Sequence, residues 1–423
     1  MSGHHTPDWK RTHRAVWAAN LATAVGMMSF LPFFPSHLER LGVTGESRLA
    51  LWTGLVFGAA PLSAAFMSPI WGALGDRLGR RVMVLRSMLA ITVFVGLMAW
   101  VRNPWQLLAL RLLQGVFSGF VAPSLTLVSV SAPAREQGRI ASSLQVAMSL
   151  GAVAGPMWGE LVRELVGQSA VYLSVSALSL VSALLVLSFA SEDESKRRAR
   201  NGPVRMGAIL RESLGDLNEL RASRTLRAAV VLLFFIQFGS GASLPLLELY
   251  VRDLHPHFAW VPESTAALFS VPAAMNLLAM PLWGRHGDRA GHSRALLRCA
   301  WMSGILLALH AAVFGYEELF GVRMLFGLAL AGAGPLAFGV AGVEISEDRR
   351  GGAMGVVFSA RAFAIASSAM LGGALAGWLG IRGLFLCGGA AILIPFWVFS
   401  RARRVSAAIA APASEVPRGI GEQ

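Results

Sequence analysis

The chain reads as long apolar runs separated by short polar breaks. Twelve runs approach the ~20 residues that a helix needs to cross a bilayer core. They are 15–38, 50–71, 82–101, 105–131, 139–162, 168–190, 227–250, 262–283, 295–314, 319–343, 352–378 and 382–400. None alternates with the ten-residue period-two pattern of barrel strands, so twelve helices are predicted, each closing its own backbone hydrogen bonds. The run that starts at Ala15 is too long for a signal-peptide core and lacks a small-x-small cleavage site, so it is predicted as a retained first span. The longest polar break, 191–226, contains Lys196, Arg197, Arg198 and Arg200. The predicted organisation is a cytoplasmic tail 1–14, a six-helix half 15–190, a cytoplasmic central loop 191–226, a second six-helix half 227–400 and a cytoplasmic tail 401–423.

Composition supports this class. Hydrophobic residues make up 55% of the chain and charged ones 14%, with mean hydropathy +0.57, against roughly 25% charged in a soluble domain. The net charge of +13 would suggest nucleic acid in a soluble protein. Here the distribution of charge gives another account. With the N-terminus in the cytoplasm, 28 of the 37 Lys and Arg fall on cytoplasmic segments, six on outer loops (Arg40, Arg48, Arg102, Arg163, Arg252, Arg382) and three within spans (Arg111, Arg323, Arg361). That bias predicts both termini inside, in a multi-pass cell inner membrane protein, with no need for a nucleic-acid partner. Two cysteines, Cys299 and Cys387, offer no disulfide framework or thiolate metal cluster.

The two parts of the chain repeat each other. Residues 68–79 read SPIWGALGDRLG and residues 280–291 read MPLWGRHGDRAG. Asp76 maps to Asp288 at an offset of 212, which also takes Arg111 to Arg323, Gly115 to Gly327 and Pro123 to Pro335; Leu31 and Pro32 map to Leu244 and Pro245 at 213. An even number of spans per half makes this a parallel repeat about an axis along the membrane normal. Such a design puts a substrate site between the halves and works by rocking one against the other.

Three motifs stand on this frame. Gly72, Gly75, Asp76, Arg77, Gly79, Arg80 and Arg81 form a G-x-x-x-D-R-x-G-R-R loop between spans two and three. Its glycines suit a tight turn, and its carboxylate suits the positive N-terminus of a neighbouring helix. The second copy keeps Gly284, Asp288 and Arg289 but loses the double arginine. Span four opens on Arg111-Leu-Leu-Gln114-Gly115, and span five carries Gly151, Gly155, Pro156 and Gly159 as one small-residue face, with Glu160 next.

These motifs resemble those of the major facilitator superfamily, in its twelve-helix drug:proton antiporter branch. The resemblance implies two pseudo-symmetric six-helix halves and a multidrug efflux activity run by proton antiport. It also implies a conformational latch at Asp76 docking on the opposite half near the start of span eleven, proton movement at Arg111 and Gln114, and an antiporter signature on span five. Glu160 stands where that signature has its last glycine. The resemblance leaves open a dedicated exporter of an anionic metabolite or siderophore, and an uptake symporter.

The residues themselves leave further alternatives. Glu248 is the carboxylate that falls within an apolar run, so it is a proton-site candidate; it is equally a rim residue paired with Arg252 one turn away. Arg111 faces a cavity or snorkels outward. Arg361, near the centre of span eleven, faces a cavity or holds backbone carbonyls; the intramembrane excess of positive charge hints at an anionic or zwitterionic substrate. Asn20, Met27, Phe30, Gln145, Gln237 and Asn276 are the other cavity candidates, with lipid or core contact as the alternative for Met27 and Phe30. His4, His5 and His13 are assigned to a tail rather than a metal site, and His255 and His257 lack the company that ligands need. No nucleotide-binding loop of the G-x-x-x-x-G-K-[ST] type is present, so ATP drive is not expected. No cofactor is expected either. A monomer embedded in lipid, with a small-molecule substrate and protons as partners, is the resulting expectation; neither the residue clusters of a membrane enzyme nor a channel design appears.

Overall fold

The computed structural model describes residues 8–192, 224–254, 261–344 and 350–410. Among them every regular element is helical. The first half comprises α1 (Trp9–Ser29), α2 (Phe34–Arg40), α3 (Glu46–Leu78), α4 (Arg80–Leu97), α5 (Pro104–Phe117), α6 (Val121–Ser131), α7 (Gln137–Val166) and α8 (Gln168–Phe189). The second comprises α9 (Arg224–Ser243), α10 (Leu247–Leu254), α11 (Val261–Ala290), α12 (His292–Leu309), α13 (Tyr316–Leu330), α14 (Ala333–Glu344) and α15 (Arg350–Ala410).

Among the described residues, eleven helical stretches are long and apolar enough to cross a membrane, and the last is 42 residues long. That stretch is two passes. Gly372 packs on Ala242 and Gly388 packs on Gly239. A straight helix would hold residues 372 and 388 about 24 Å apart, yet their partners lie one turn apart on α9. The chain doubles back at Gly380, whose φ of 65° and ψ of 169° interrupt the helix in a conformation that glycine adopts readily. Twelve passes result, and their lipid side is visible as side chains such as Trp378, 90% exposed, and Val166, Phe314 and Leu165. Apolar surface of this extent marks a membrane-facing exterior.

Several ends differ from the hydropathy pattern. The first helix starts at Trp9, where the Asp8 side chain accepts from the amides of Lys10 and Arg11; capping carries it beyond the apolar run. His13 therefore lies on a helix, not in a tail, while His4, His5, His255 and His257 lie outside the described residues. Most of the central loop, 193–223, and the end of the C-terminal tail, 411–423, also lie outside them; the last helix runs on to Ala410.

Passes one, four, seven and ten are each broken, at Phe30–Phe33, Ser118–Phe120, Leu244–Leu246 and Ala331–Gly332, so the breaks obey the repeat. Each half has its own apolar core. One runs from Val16 to Ala190 and takes in Ala369, and the other runs from Leu226 to Ile392. We call the side of the molecule where Trp9 lies the terminal face, and the side where Arg40 lies the far face.

Candidate functional site

The repeat extends to individual hydrogen bonds. Arg111 Nε donates to the carbonyl of Val56 at 3.0 Å, and Arg323 Nε donates to that of Leu268 at 3.0 Å. Trp71 Nε1 donates to the Val116 carbonyl at 2.6 Å, and Trp283 Nε1 to the Leu328 carbonyl at 2.8 Å. Donor and acceptor shift by 212 in both cases. Arg111 also reaches the Phe57 carbonyl at 3.2 Å and the Gln114 side chain at 2.7 Å. It is 2% exposed, so it does not snorkel to the surface. Gln114 in turn donates to the Met27 sulfur. Arginine at these two positions ties pass four to pass two, and pass ten to pass eight, through backbone groups that lipid could not satisfy.

The glycine motif is less a loop than two helices meeting at a corner. α3 runs through Gly72 and Gly75 to Leu78, and α4 starts at Arg80, so Gly79 alone makes the turn with φ 103°. Glu192 stands at the start of α4, where its carboxylate accepts from the amides of Arg80 at 2.8 Å and Arg81 at 3.0 Å. A side chain at residue 79 would collide with that carboxylate. Glu192 follows pass six, and its polar setting gave no local hint of this contact. The side chains of Asp76 and Arg77 lie outside the described residues. The second copy turns in the same way at Gly291, φ 87°, with exposed Asp288 3.6 Å from His292 and Arg289 in the last turn of α11.

On pass five, Gly151, Gly155 and Gly159 pack against Ala24, Val25, Met28 and Ser29 of α1. Through these glycines the helix joins another of the same half, because three glycines one turn apart admit another backbone at close range; it also packs against α11 of the second half. Pro156 is buried in the same helix, and Glu160 pairs with Arg163 at 2.5 Å.

The cavity candidates separate into two groups. Asn20 is 1% exposed and accepts from Ser124 Oγ at 3.0 Å, and Phe30 is fully buried against Phe34 and Tyr172. Both are packed inside the first half and line no open space, a correction that follows from their neighbours on passes four and six. Gln145 is exposed, and Met27, Gln237, Asn276 and Arg361 are half-buried. The Nε of Arg361 is itself buried and has no hydrogen-bond partner among the described residues.

Glu248 sits at the far face, and not on an exposed rim. It is 1% exposed. Its Oε1 accepts from Arg252 Nη2 at 2.6 Å and from the Ser36 hydroxyl, and its Oε2 accepts from the Ser36 amide at 3.3 Å. Arg252 also donates to Glu39 at 2.7 Å and to Ser36 Oγ at 3.1 Å. Ser36 and Glu39 belong to the first half, and Glu248 and Arg252 to the second. Glu248 and Arg252 stand out in the sequence but their partners do not, although Glu39 and Arg252 occupy the same repeat position at offset 213 with opposite charge.

Comparison with known proteins adds the family. The family described as Major Facilitator Superfamily matches residues 16–256 and 229–420. "Multidrug resistance protein MdtG" of Citrobacter koseri is 34% identical over 332 residues, 78% of this chain and 79% of that protein. The MdtG protein of Enterobacter lignolyticus is 29% identical over 413 residues, 97% of this chain and 96% of its own. Among solved structures, the human organic anion transporter MFSD10 (TETRAN) superposes with a TM-score of 0.70 at 20% identity, covering 93% of this chain and 99% of that one. The nucleoside transporter NupG does so with 0.71 at 16% identity, covering 93% and 99%. At such identities these structures speak for the fold alone.

Proposed function

We propose that this chain, which belongs to the Major Facilitator Superfamily, is a multidrug efflux transporter that exports small amphipathic compounds in exchange for protons by alternating access. The observation that carries this reading is similarity to proteins named for multidrug resistance along 97% of the chain. The duplicated bundle fits it mechanically, since two like halves around one axis can expose a site between them to either face in turn. The terminal face is the cytoplasmic one on this reading, because 28 of 37 Lys and Arg are then inside. Residues 15–190 and 227–400 are the moving halves of a monomer in the inner membrane, joined by the 191–226 segment.

The proton-carrying group in this proposal is Glu248, a carboxylate within a membrane-spanning stretch that lies against the other half. The corner at Gly79 and its copy at Gly291 set the helix ends on the cytoplasmic side, with Asp76 as the latch between conformations. The test is proton release from purified protein in lipid vesicles on addition of each compound of a panel. Release is expected with wild type. In Glu248→Gln it should be absent, while drug still equilibrates down its own gradient. Drug-dependent release that persists undiminished in Glu248→Gln would move the proton site elsewhere, and no release with any compound would remove the antiport reading.

One observation favours a second reading, a dedicated exporter of anionic compounds. Arg361 carries a buried guanidinium nitrogen with no hydrogen-bond partner among the described residues, and an intramembrane cation with an open donor calls for water or an anion. Arg361→Gln should then reduce efflux of an anionic compound at least about tenfold more than that of a cationic one, the scale of a single charge-assisted contact. Equal losses, normalised to protein level, would leave the general multidrug reading.

A further inference from the structure

We propose that Ser36, Glu39, Glu248 and Arg252 form a lock that holds the two halves shut at the far face. Three observations carry it. First, every bond in the cluster other than the Arg252–Glu248 pair crosses between halves: the Ser36 amide and hydroxyl reach Glu248, and Arg252 reaches Glu39 and Ser36. Second, the repeat makes this pairing a divergence. Passes one and seven are equivalents, so equal sequences would bring like residues face to face. Instead Glu39 and Arg252, equivalent at offset 213, carry opposite charge, and Glu248 replaces the position of Pro35. Opposite charges at one repeat position are what two halves need in order to attract at their shared axis.

Third, the cluster sits on a dry seam. Ala50 of the first half packs with Leu246, Ala376 and Leu384 of the second in a small apolar cluster of its own, and Leu249, next to Glu248, packs on it. Further along the same seam, Gly54 meets Gly373 and Gly58 meets Ala366 backbone to backbone. Glu248 is buried by this closure, whereas Glu39 and Arg252 remain partly open to the far face. Separation of the halves here must break four cross-half hydrogen bonds and wet the apolar cluster together. The lock therefore makes far-face closure an all-or-none state rather than a gradual one.

The proposal takes its place in a transport cycle from the alternating-access reading above, but its test needs neither drug nor proton gradient. Spin labels at Arg102→Cys and Glu317→Cys, two exposed far-face positions on opposite halves, would be placed in a Cys299→Ser, Cys387→Ser background in lipid discs. Distance distributions would then be read by pulsed double resonance. The parent should give mostly the short, closed distance. Ser36→Ala and Arg252→Gln should raise the open-to-closed ratio roughly tenfold, and Arg252→Glu should raise it more. Adding Glu39→Arg to Arg252→Glu should return the distribution only part of the way, since it restores an opposite pair with the halves exchanged but leaves Glu248 without its arginine. Distances unmoved by Ser36→Ala and Arg252→Gln would overturn the lock. If Arg252→Glu does not yield folded protein, Ser36→Ala, which changes no charge, carries the measurement by itself. A response in distance without drug-dependent proton release would keep the lock and sink the antiport reading; the converse would do the opposite.

Discussion

In the first half, Arg111 donates to the carbonyls of Val56 and Phe57 and to Gln114; in the second, 212 residues on, Arg323 places both Nε and Nη2 on the single carbonyl of Leu268. Trp71 and Trp283 repeat one another in the same way, as do the corners at Gly79 and Gly291. At the far face the equivalents Glu39 and Arg252 are instead opposite in charge. The duplicated features all lie within a half and do the same work twice: they satisfy backbone groups in helices that lipid cannot solvate. The diverged ones lie between halves, where identity would mean like facing like. Two halves can therefore share a scaffold while their meeting surface becomes specific.

The largest effect is expected from removing the duplicated arginines. Arg111→Ala leaves two carbonyls and a glutamine without their donor, and we expect a loss of about 3–5 kcal/mol, since each buried acceptor left unsatisfied costs about 1–3 kcal/mol. Arg323→Ala should cost less, about 2–3 kcal/mol, because one carbonyl loses its partner. Thermal unfolding of the two proteins in detergent checks the order. A reversed order would mean that the shared geometry hides unequal roles.

Next come the equivalent glycines on the same helices. Gly115 lies against the backbone of Ala60, and Gly327 against that of Pro272. A methyl group at either position must push a helix backbone aside, so Gly115→Ala and Gly327→Ala should each destabilise by about 1–3 kcal/mol. Near-equal losses in melting temperature would sharpen the view that intra-half packing is the same twice. A tolerated change at one position would show that its half gives way more easily.

The smallest effect expected is at the tryptophans. Each phenylalanine substitution loses one hydrogen bond to a carbonyl, worth about 0.5–1.5 kcal/mol. Trp71 also has the Arg86 guanidinium 3.6 Å above its ring, so Trp71→Phe should exceed Trp283→Phe by about 0.5–1 kcal/mol. Double-mutant cycles with Arg86→Gln measure that difference directly, and a zero coupling would remove this asymmetry between the halves.

Hydropathy and spacing made much of this legible. Twelve apolar runs, one constant offset and the charge bias are properties of short stretches, because a helix in lipid satisfies itself and its length is set by the bilayer. The offset even identified Arg111 and Arg323 as equivalents. It could not say what they hold, since Val56 and Leu268 stand 55 residues before them in the chain. The small-residue face of pass five was equally plain as a pattern, but which helix it admits, α1 of the same half, depends on the bundle.

The amino-acid sequence by itself determined the number of passes, the duplication and the residue types that a membrane interior makes expensive. Only the folded bundle decided that Glu192 accepts from the first amides of α4, that Asn20 and Phe30 are packed away from open space, and that Glu248 is held by Ser36 from the other half. The reason is one of range. Helix formation and insertion are governed by contacts a few residues apart, whereas a hydrogen bond spanning 212 residues exists only once two separately folded halves have met along their shared face.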